Sequence, residues 1–229
     1  MISERIQALQ EKIDHACRQS ARDPKDVTIV AVTKYTGIDQ MRSAVCAGMC
    51  HIGESRVQDA AKKFEVLDAE GVACVKHMIG HLQRNKAKTA VDVFDLIQSV
   101  DSLKLAREIQ KYARQADKNM DVLIQINAAR EPRKSGVEPG KAAELIAQIR
   151  EFSHVRVQGL MTIGPLTDQQ EEISACFREV RDLYDRLDQD YAGSEKVHMK
   201  YLSMGMTHDF EIAIREGANM VRIGSAIFG

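Results

Sequence analysis

Thr28-Ile29-Val30-Ala31-Val32-Thr33-Lys34-Tyr35 is an uninterrupted run of β-branched and small apolar residues that ends on a lysine. A short apolar run without polar alternation predicts a strand buried on both faces, as in a parallel sheet. Gly37 and Asp39 follow, breaking the strand and opening a helix. Lys34 is therefore expected at the carboxyl end of a core strand, where α/β folds carry their chemistry. It should be half-buried there, and desolvation favours the neutral amine that a Schiff base with an aldehyde needs. The plainer alternative is a lysine that snorkels from a strand end with its charge in water.

Working outward, the same strand signal recurs and alternates with helical stripes. A helix from Ser3 to Ser20 carries Ile6, Leu9, Ile13, Ala16 and Cys17 on one face, and Asp23-Pro24 breaks it. Further strands are expected at His51 to Glu54, Val72 to Ile79, Phe94 to Val100, Asp121 to Asn127, Val155 to Met161, Val197 to Leu202 and Met220 to Ile223. Asp101-Ser102, an Asp168/Glu171 capping box and Thr207 are expected to cap the helices that follow strands four, six and seven. Pro139 suits the first turn of a helix. Eight βα units in 229 residues, with no Pro/Gly/Ser-rich linker, predict one (β/α)8 TIM barrel over residues 1–229, with the N-terminal helix added on its bottom or side.

Composition excludes several function classes. A net charge of −1 argues against a nucleic-acid footprint spread over the surface. No apolar run reaches membrane-spanning length, and Met1-Ile2-Ser3-Glu4-Arg5 lacks the order of a signal peptide. Cys17, Cys46, Cys50, Cys74 and Cys176 read as reduced core residues of a cytoplasmic protein, with no spacing for zinc.

Two glycine-bearing stretches carry the second chemical signal. Leu202-Ser203-Met204-Gly205-Met206-Thr207 and Arg222-Ile223-Gly224-Ser225 each follow a strand and open a helix. Glycine admits a ligand close to the backbone, and N–H groups at a helix start bond an anion. The loops after strands seven and eight are where barrels recurrently hold phosphate. Plain capping by Thr207 and Ser225 is the alternative for either stretch alone. A barrel lysine opposite a phosphate cradle is what pyridoxal 5′-phosphate (PLP) requires. Arg222 then supplies a permanent cation at the pyridine nitrogen, keeping it unprotonated and the ring a weak electron sink.

Over nearly its whole length the sequence resembles the pyridoxal phosphate homeostasis protein family. The motifs are Ala31-Val32-Thr33-Lys34, Ile52-Gly53-Glu54-Ser55-Arg56-Val57-Gln58, Ile79-Gly80-His81-Leu82-Gln83-Arg84-Asn85-Lys86, Lys134-Ser135-Gly136, Gly159-Leu160-Met161-Thr162-Ile163, Leu202-Ser203-Met204-Gly205-Met206 and Val221-Arg222-Ile223-Gly224-Ser225-Ala226-Ile227-Phe228-Gly229. The resemblance implies a barrel similar to the N-terminal domain of alanine racemase, a PLP aldimine on Lys34, and a role in vitamin B6 homeostasis without robust catalysis. It implies PLP-requiring apoenzymes as partners, and a monomer or weak dimer. The family usually has Gly-Glu-Asn where this chain has Gly53-Glu54-Ser55, so a contact made by that amide is shortened or lost at Ser55.

Other residues are weighed beside these. His77 and His81 have the i, i+4 spacing of metal ligands but straddle a strand end; His81 is instead a candidate to face the cofactor ring. Met161 and Met204 are candidates to pack on that ring, or simply core. Arg130, Arg133 and Lys134 form a basic loop that either attracts the anionic cofactor or is only solvated. An amino-acid racemase is the competing function. It needs acid/base groups on both faces of a substrate Cα, and the expected single barrel supplies Lys34 on one face alone. A cofactor-free Schiff-base aldolase is a third reading, but it leaves the phosphate cradle and Arg222 without a purpose.

Overall fold

The structure is a computed structural model and describes residues 1–131 and 135–229. Arg133 and Lys134 of the basic loop lie outside the described residues. Apolar residues at helical spacing form α1 (Ile2–Gln19), with Ile6, Leu9, Ile13, Ala16 and Cys17 buried as the stripe predicts. Strands and helices then alternate: β1 (Thr28–Val32), α2 (Ile38–Cys46), β2 (His51–Glu54), α3 (Val57–Ala69), β3 (Val75–Met78), α4 (Ala87–Val93), β4 (Leu96–Val100) and α5 (Leu103–Gln115). The second half follows with β5 (Met120–Ile126), α6 (Ala142–Arg150), β6 (Val155–Thr162), α7 (Gln170–Asp190), β7 (Val197–Ser203), α8 (Phe210–Arg215), β8 (Met220–Ile223) and α9 (Ser225–Phe228).

Each strand runs parallel to the next, and β8 returns to β1, with Thr28 opposite Met220 and Ala31 opposite Ile223. The sheet is thus closed, a (β/α)8 TIM barrel with an extra N-terminal helix, as the alternation predicts. Successive side chains on a strand face opposite ways. Ala31, Ile52, Ile97, Val122 and Val221 therefore pack outward against the helices. Val30, Leu96, Leu123, Met161 and Met220 form a separate cluster that fills the barrel. Each large side chain buried in either layer contributes about 1.5–3 kcal/mol.

α1 lies on the side of the barrel, against α2, α8 and α9. Arg22 fastens its far end, donating from Nη1 to the carbonyls of Ile214 at 2.8 Å and Ala218 at 2.7 Å. Among the described residues no helix is long and apolar enough to cross a membrane.

Several local expectations are corrected. β3 starts at Val75, because the Val72 N–H is used at the end of α3, on the Leu67 carbonyl. β4 starts at Leu96, because Phe94 closes α4 by donating to Ala90. The Asp168/Glu171 box does not form: α7 begins at Gln170, and Thr167 Oγ1 accepts the Gln169 N–H instead. Pro139 opens a 3-10 turn before α6. Cys46 and Cys50 are exposed, not core.

Candidate functional site

Lys34 sits just beyond β1, in a turn closed by the Thr36 N–H donating to the Thr33 carbonyl at 2.9 Å. That turn is anchored from beneath. Thr33 Oγ1 donates to the buried Glu54 carboxylate at 2.7 Å. Lys63 Nζ, from α3, donates to the same Glu54 oxygen at 2.8 Å and to the Thr33 carbonyl at 2.7 Å. β2 and α3 thus hold the lysine's backbone, and its Nζ lies 5.2 Å from the centroid of the Tyr35 ring. The expectation of half-burial is corrected: Lys34 is exposed.

The barrel mouth holds a cavity of about 580 Å³. Lys34 lines it together with Ser55, Met206, Thr207, Arg222, Gly224 and Ser225. The amine after β1, the loop after β7 and the loop after β8 therefore face one space, as the motifs predict. Closure of the barrel brings this about, since β1 and β8 are neighbours. The volume lies in the range of small-molecule sites.

Arg222 is buried, at 4% exposure. Burial pushes its guanidinium down to about 10, with Asp209 opposing that shift, so the group stays cationic at neutral pH. Nη1 donates to Ser203 Oγ and Nη2 to the Thr162 carbonyl, both at 2.7 Å. The cation is thereby fixed against the cavity. On the β7 side, Gly205 has φ +92. Asp209 Oδ1 accepts the Met206 N–H at 2.5 Å. Burial raises the pKa of Asp209, while its bond from Met206 and the nearby Arg222 oppose that. On the β8 side α9 starts at Ser225; the Ile227 and Phe228 N–H groups donate to the Gly224 carbonyl at 3.0 Å, which leaves those of Ser225 and Ala226 at the cavity end of the turn without an intrahelical acceptor.

Other predicted positions are not brought to the cavity. Ser203 is fully buried beneath Arg222, its hydroxyl engaged by Arg222 and Gln98. Met204 is fully buried in the outer core and Met161 in the barrel interior, so both are packing residues. Gly205 shapes the loop without lining the cavity; a Cβ there would lie 2.6 Å from Ala213 Cβ. Thr207 lines the cavity but does not cap α8, whose N-cap is Asp209. His81 lies in an adjoining recess of about 170 Å³, with Ser135 Oγ at 3.1 Å from its Nδ1. His77 is buried elsewhere, so the two histidines do not meet. Arg130 is exposed and donates to Glu179 at 2.9 Å.

Sequence reasoning missed Tyr35, Thr36, Gln40, Ile163, His208 and Phe228 as lining residues. His208 and Thr36 stand beside predicted positions, which was the available signal. Ile163 and Phe228 lie within motifs that carry the family resemblance, while Gln40 has no such signal.

The family model for the alanine racemase N-terminal domain matches residues 5–229. A pyridoxal phosphate homeostasis protein of Aquifex aeolicus is 39% identical over 226 residues, covering 99% of this chain and 96% of the relative. The protein of that name from Escherichia coli is 32% identical over 229 residues, covering 100% and 96%. Among solved structures, PipY of Synechococcus elongatus with PLP bound superposes with a TM-score of 0.85 at 31% identity, covering both chains fully. An alanine racemase of Clostridium difficile shares the fold at TM-score 0.74 and 16% identity, over 96% of this chain and 55% of that one. The full-length identity to these relatives, and a family match that starts in α1 and runs to Gly229, carry one conclusion: this chain belongs to the pyridoxal phosphate homeostasis protein family, within the alanine racemase N-terminal domain fold.

Proposed function

We propose that this protein is a PLP-binding protein of vitamin B6 homeostasis that holds the cofactor in the barrel-mouth cavity. The observation that carries the reading is the convergence of Lys34, Arg222 and the Met206–Thr207 and Gly224–Ser225 loops on one cavity. Its similarity to PipY, for which a PLP-bound structure is known, supports it. PLP supplies an electrophilic aldehyde and an electron-withdrawing pyridine ring. Lys34 Nζ takes the aldehyde in a Schiff base: the C–N bond forms and the carbonyl oxygen leaves as water. Thr207, the Ser225 hydroxyl and the backbone N–H groups of Ser225 and Ala226 bind the phosphate. Arg222, a cation without an acceptor site, directs an N–H to the ring nitrogen and keeps a proton off it. Ser55 touches the cofactor from the β2 side.

The chain acts as a carrier with no robust catalysis. Lys34 is exposed and Tyr35 is 90% exposed, so water reaches the reacting end of the cavity. Controlled carbanion chemistry needs that water excluded. Cofactor exchange benefits from the access, which suits delivery to PLP-requiring apoenzymes in the cytoplasm.

The test is the absorption spectrum of the purified protein before and after borohydride, followed by peptide mapping. A yellow protein whose colour is bleached and whose label sits on Lys34 is expected, and Lys34→Ala should lose the label while keeping its fold. A colourless protein that takes up no added PLP overturns the reading; a label on Lys134 would move the site. Incubation with alanine in deuterium oxide should leave the Cα proton unexchanged, whereas rapid exchange would favour the racemase.

A further inference from the structure

Below the cavity floor a row of polar side chains crosses the barrel interior, where apolar filling would avoid the cost of burying them. Arg222 Nη1 and Ser203 Oγ are 2.7 Å apart, and Ser203 Oγ and Gln98 Oε1 are 2.7 Å apart. Gln98 Nε2 lies 2.9 Å from His77 Nδ1, and His77 Nε2 lies 2.9 Å from His51 Nδ1. Ser203, Gln98 and His77 are buried, and His51, the first residue of β2, is half-buried.

The direction of every bond in this row follows from one end. A guanidinium only donates. Ser203 Oγ therefore accepts from Arg222, and its single proton goes to Gln98 Oε1. That leaves the Gln98 amide nitrogen to donate to His77 Nδ1, which must carry the lone pair. A neutral His77 then bears its proton on Nε2 and donates to His51 Nδ1. Burial holds His77 down, to about 3, with His51 adding to the shift, so it is neutral at physiological pH. His51 is lowered as well, by burial and then by Lys200. Reversing the row would strand the Ser203 hydroxyl proton in the barrel with no acceptor, a costly arrangement for a buried donor.

We propose that Ser203, Gln98, His77 and His51 are positioning residues: one directed hydrogen-bond chain that holds Arg222 as a fixed donor toward the ring of bound PLP. The proposal rests on the cofactor reading of the cavity given above. Ser203, expected from the sequence to bind phosphate, instead acts through Arg222, and Gln98 and His77 extend the same support across the barrel.

The test uses the full chain and PLP itself. Nitrogen-15 histidine spectra of the unsubstituted protein should show His77 protonated on Nε2; protonation on Nδ1 overturns the directed chain. Gln98→Leu keeps the volume and removes the polar links. It should raise the PLP dissociation constant about tenfold and shift the absorption maximum of the bound cofactor. Gln98→Glu retains an acceptor for Ser203 but sets a second acceptor against the His77 Nδ1 lone pair; it should move the His77 proton to Nδ1 and raise the PLP dissociation constant about threefold, less than Gln98→Leu does. Melting of each apoprotein, run alongside, separates loss of fold from loss of positioning. Parental affinity and spectrum in a folded Gln98→Leu protein sink the proposal. Should that variant not fold, the tautomer and the Gln98→Glu affinity decide. If the unsubstituted protein takes up no PLP, the cofactor reading fails, while the tautomer still judges the chain.

Discussion

Glu54 shows how much of the site is set by residues that never reach the cavity. Its carboxylate is 1% exposed, yet it joins Thr33, just beyond β1, to Lys63 on α3 and so fixes the turn that carries Lys34. A buried pair of this kind contributes little net stability when intact, but leaving one partner alone is expensive. Lys63→Met should destabilise the protein by about 3 kcal/mol, because the Glu54 carboxylate is left in the outer core with only Thr33 to bond. It should also weaken cofactor uptake, since the Thr33 carbonyl loses its second tie. Urea denaturation of the apoprotein and PLP titration check the two effects; an unchanged midpoint would show that the anchor carries no load.

At the scale of elements, the strands carry the core and the short turns after them carry the chemistry. The turn from β7 to α8 depends on Gly205, whose φ of +92 lies where side chains are strained. Space is also lacking: an added Cβ would meet Ala213 Cβ at 2.6 Å and Phe210 Cα at 2.9 Å, both on α8. Gly205→Ala should therefore cost about 2–3 kcal/mol and displace Met206 and Thr207 from the cavity. A lower melting temperature with a higher PLP dissociation constant is the expected pair of results. Stability loss with unaltered PLP binding would mean that the loop tolerates the shift. At Gly224, by contrast, a Cβ would meet only Val32 atoms at 3.5 Å or more, an ordinary contact, so the two glycine stretches that look alike in sequence differ in what they demand.

For the molecule as a whole, the polar interior predicts an acid limb in stability. His77 titrates near 3 in the folded barrel, against an ordinary value of 6.5, because burial penalises its cation. The unfolded chain therefore takes up a proton that the folded chain refuses. Stability is complete above about pH 6.5 and declines as pH falls toward 3, by about 1 kcal/mol per pH unit from this group. His77→Gln should flatten the dependence of the urea midpoint on pH below about 6.5, at some cost in stability at neutral pH. An unaltered slope would assign the acid sensitivity to the carboxylates.

What the chain's order of residues determined by itself was the barrel and the two ends of its site. Apolar runs such as Thr28–Val32 and Met220–Ile223, divided by helical stripes, leave a closed parallel sheet as the economical burial of so many two-sided strands. A lysine and an arginine at the ends of such strands, with Gly224-Ser225 beyond, mark the chemistry locally. Only the tertiary structure decided that Ser203 lies under Arg222, that Met161 points into the barrel, that His81 stands aside and that Lys34 is exposed. The physical reason is that a strand buried on both faces has no polar alternation to show which side chains enter the barrel. Which of them then meet across it depends on closure and stagger, properties of all the strands together.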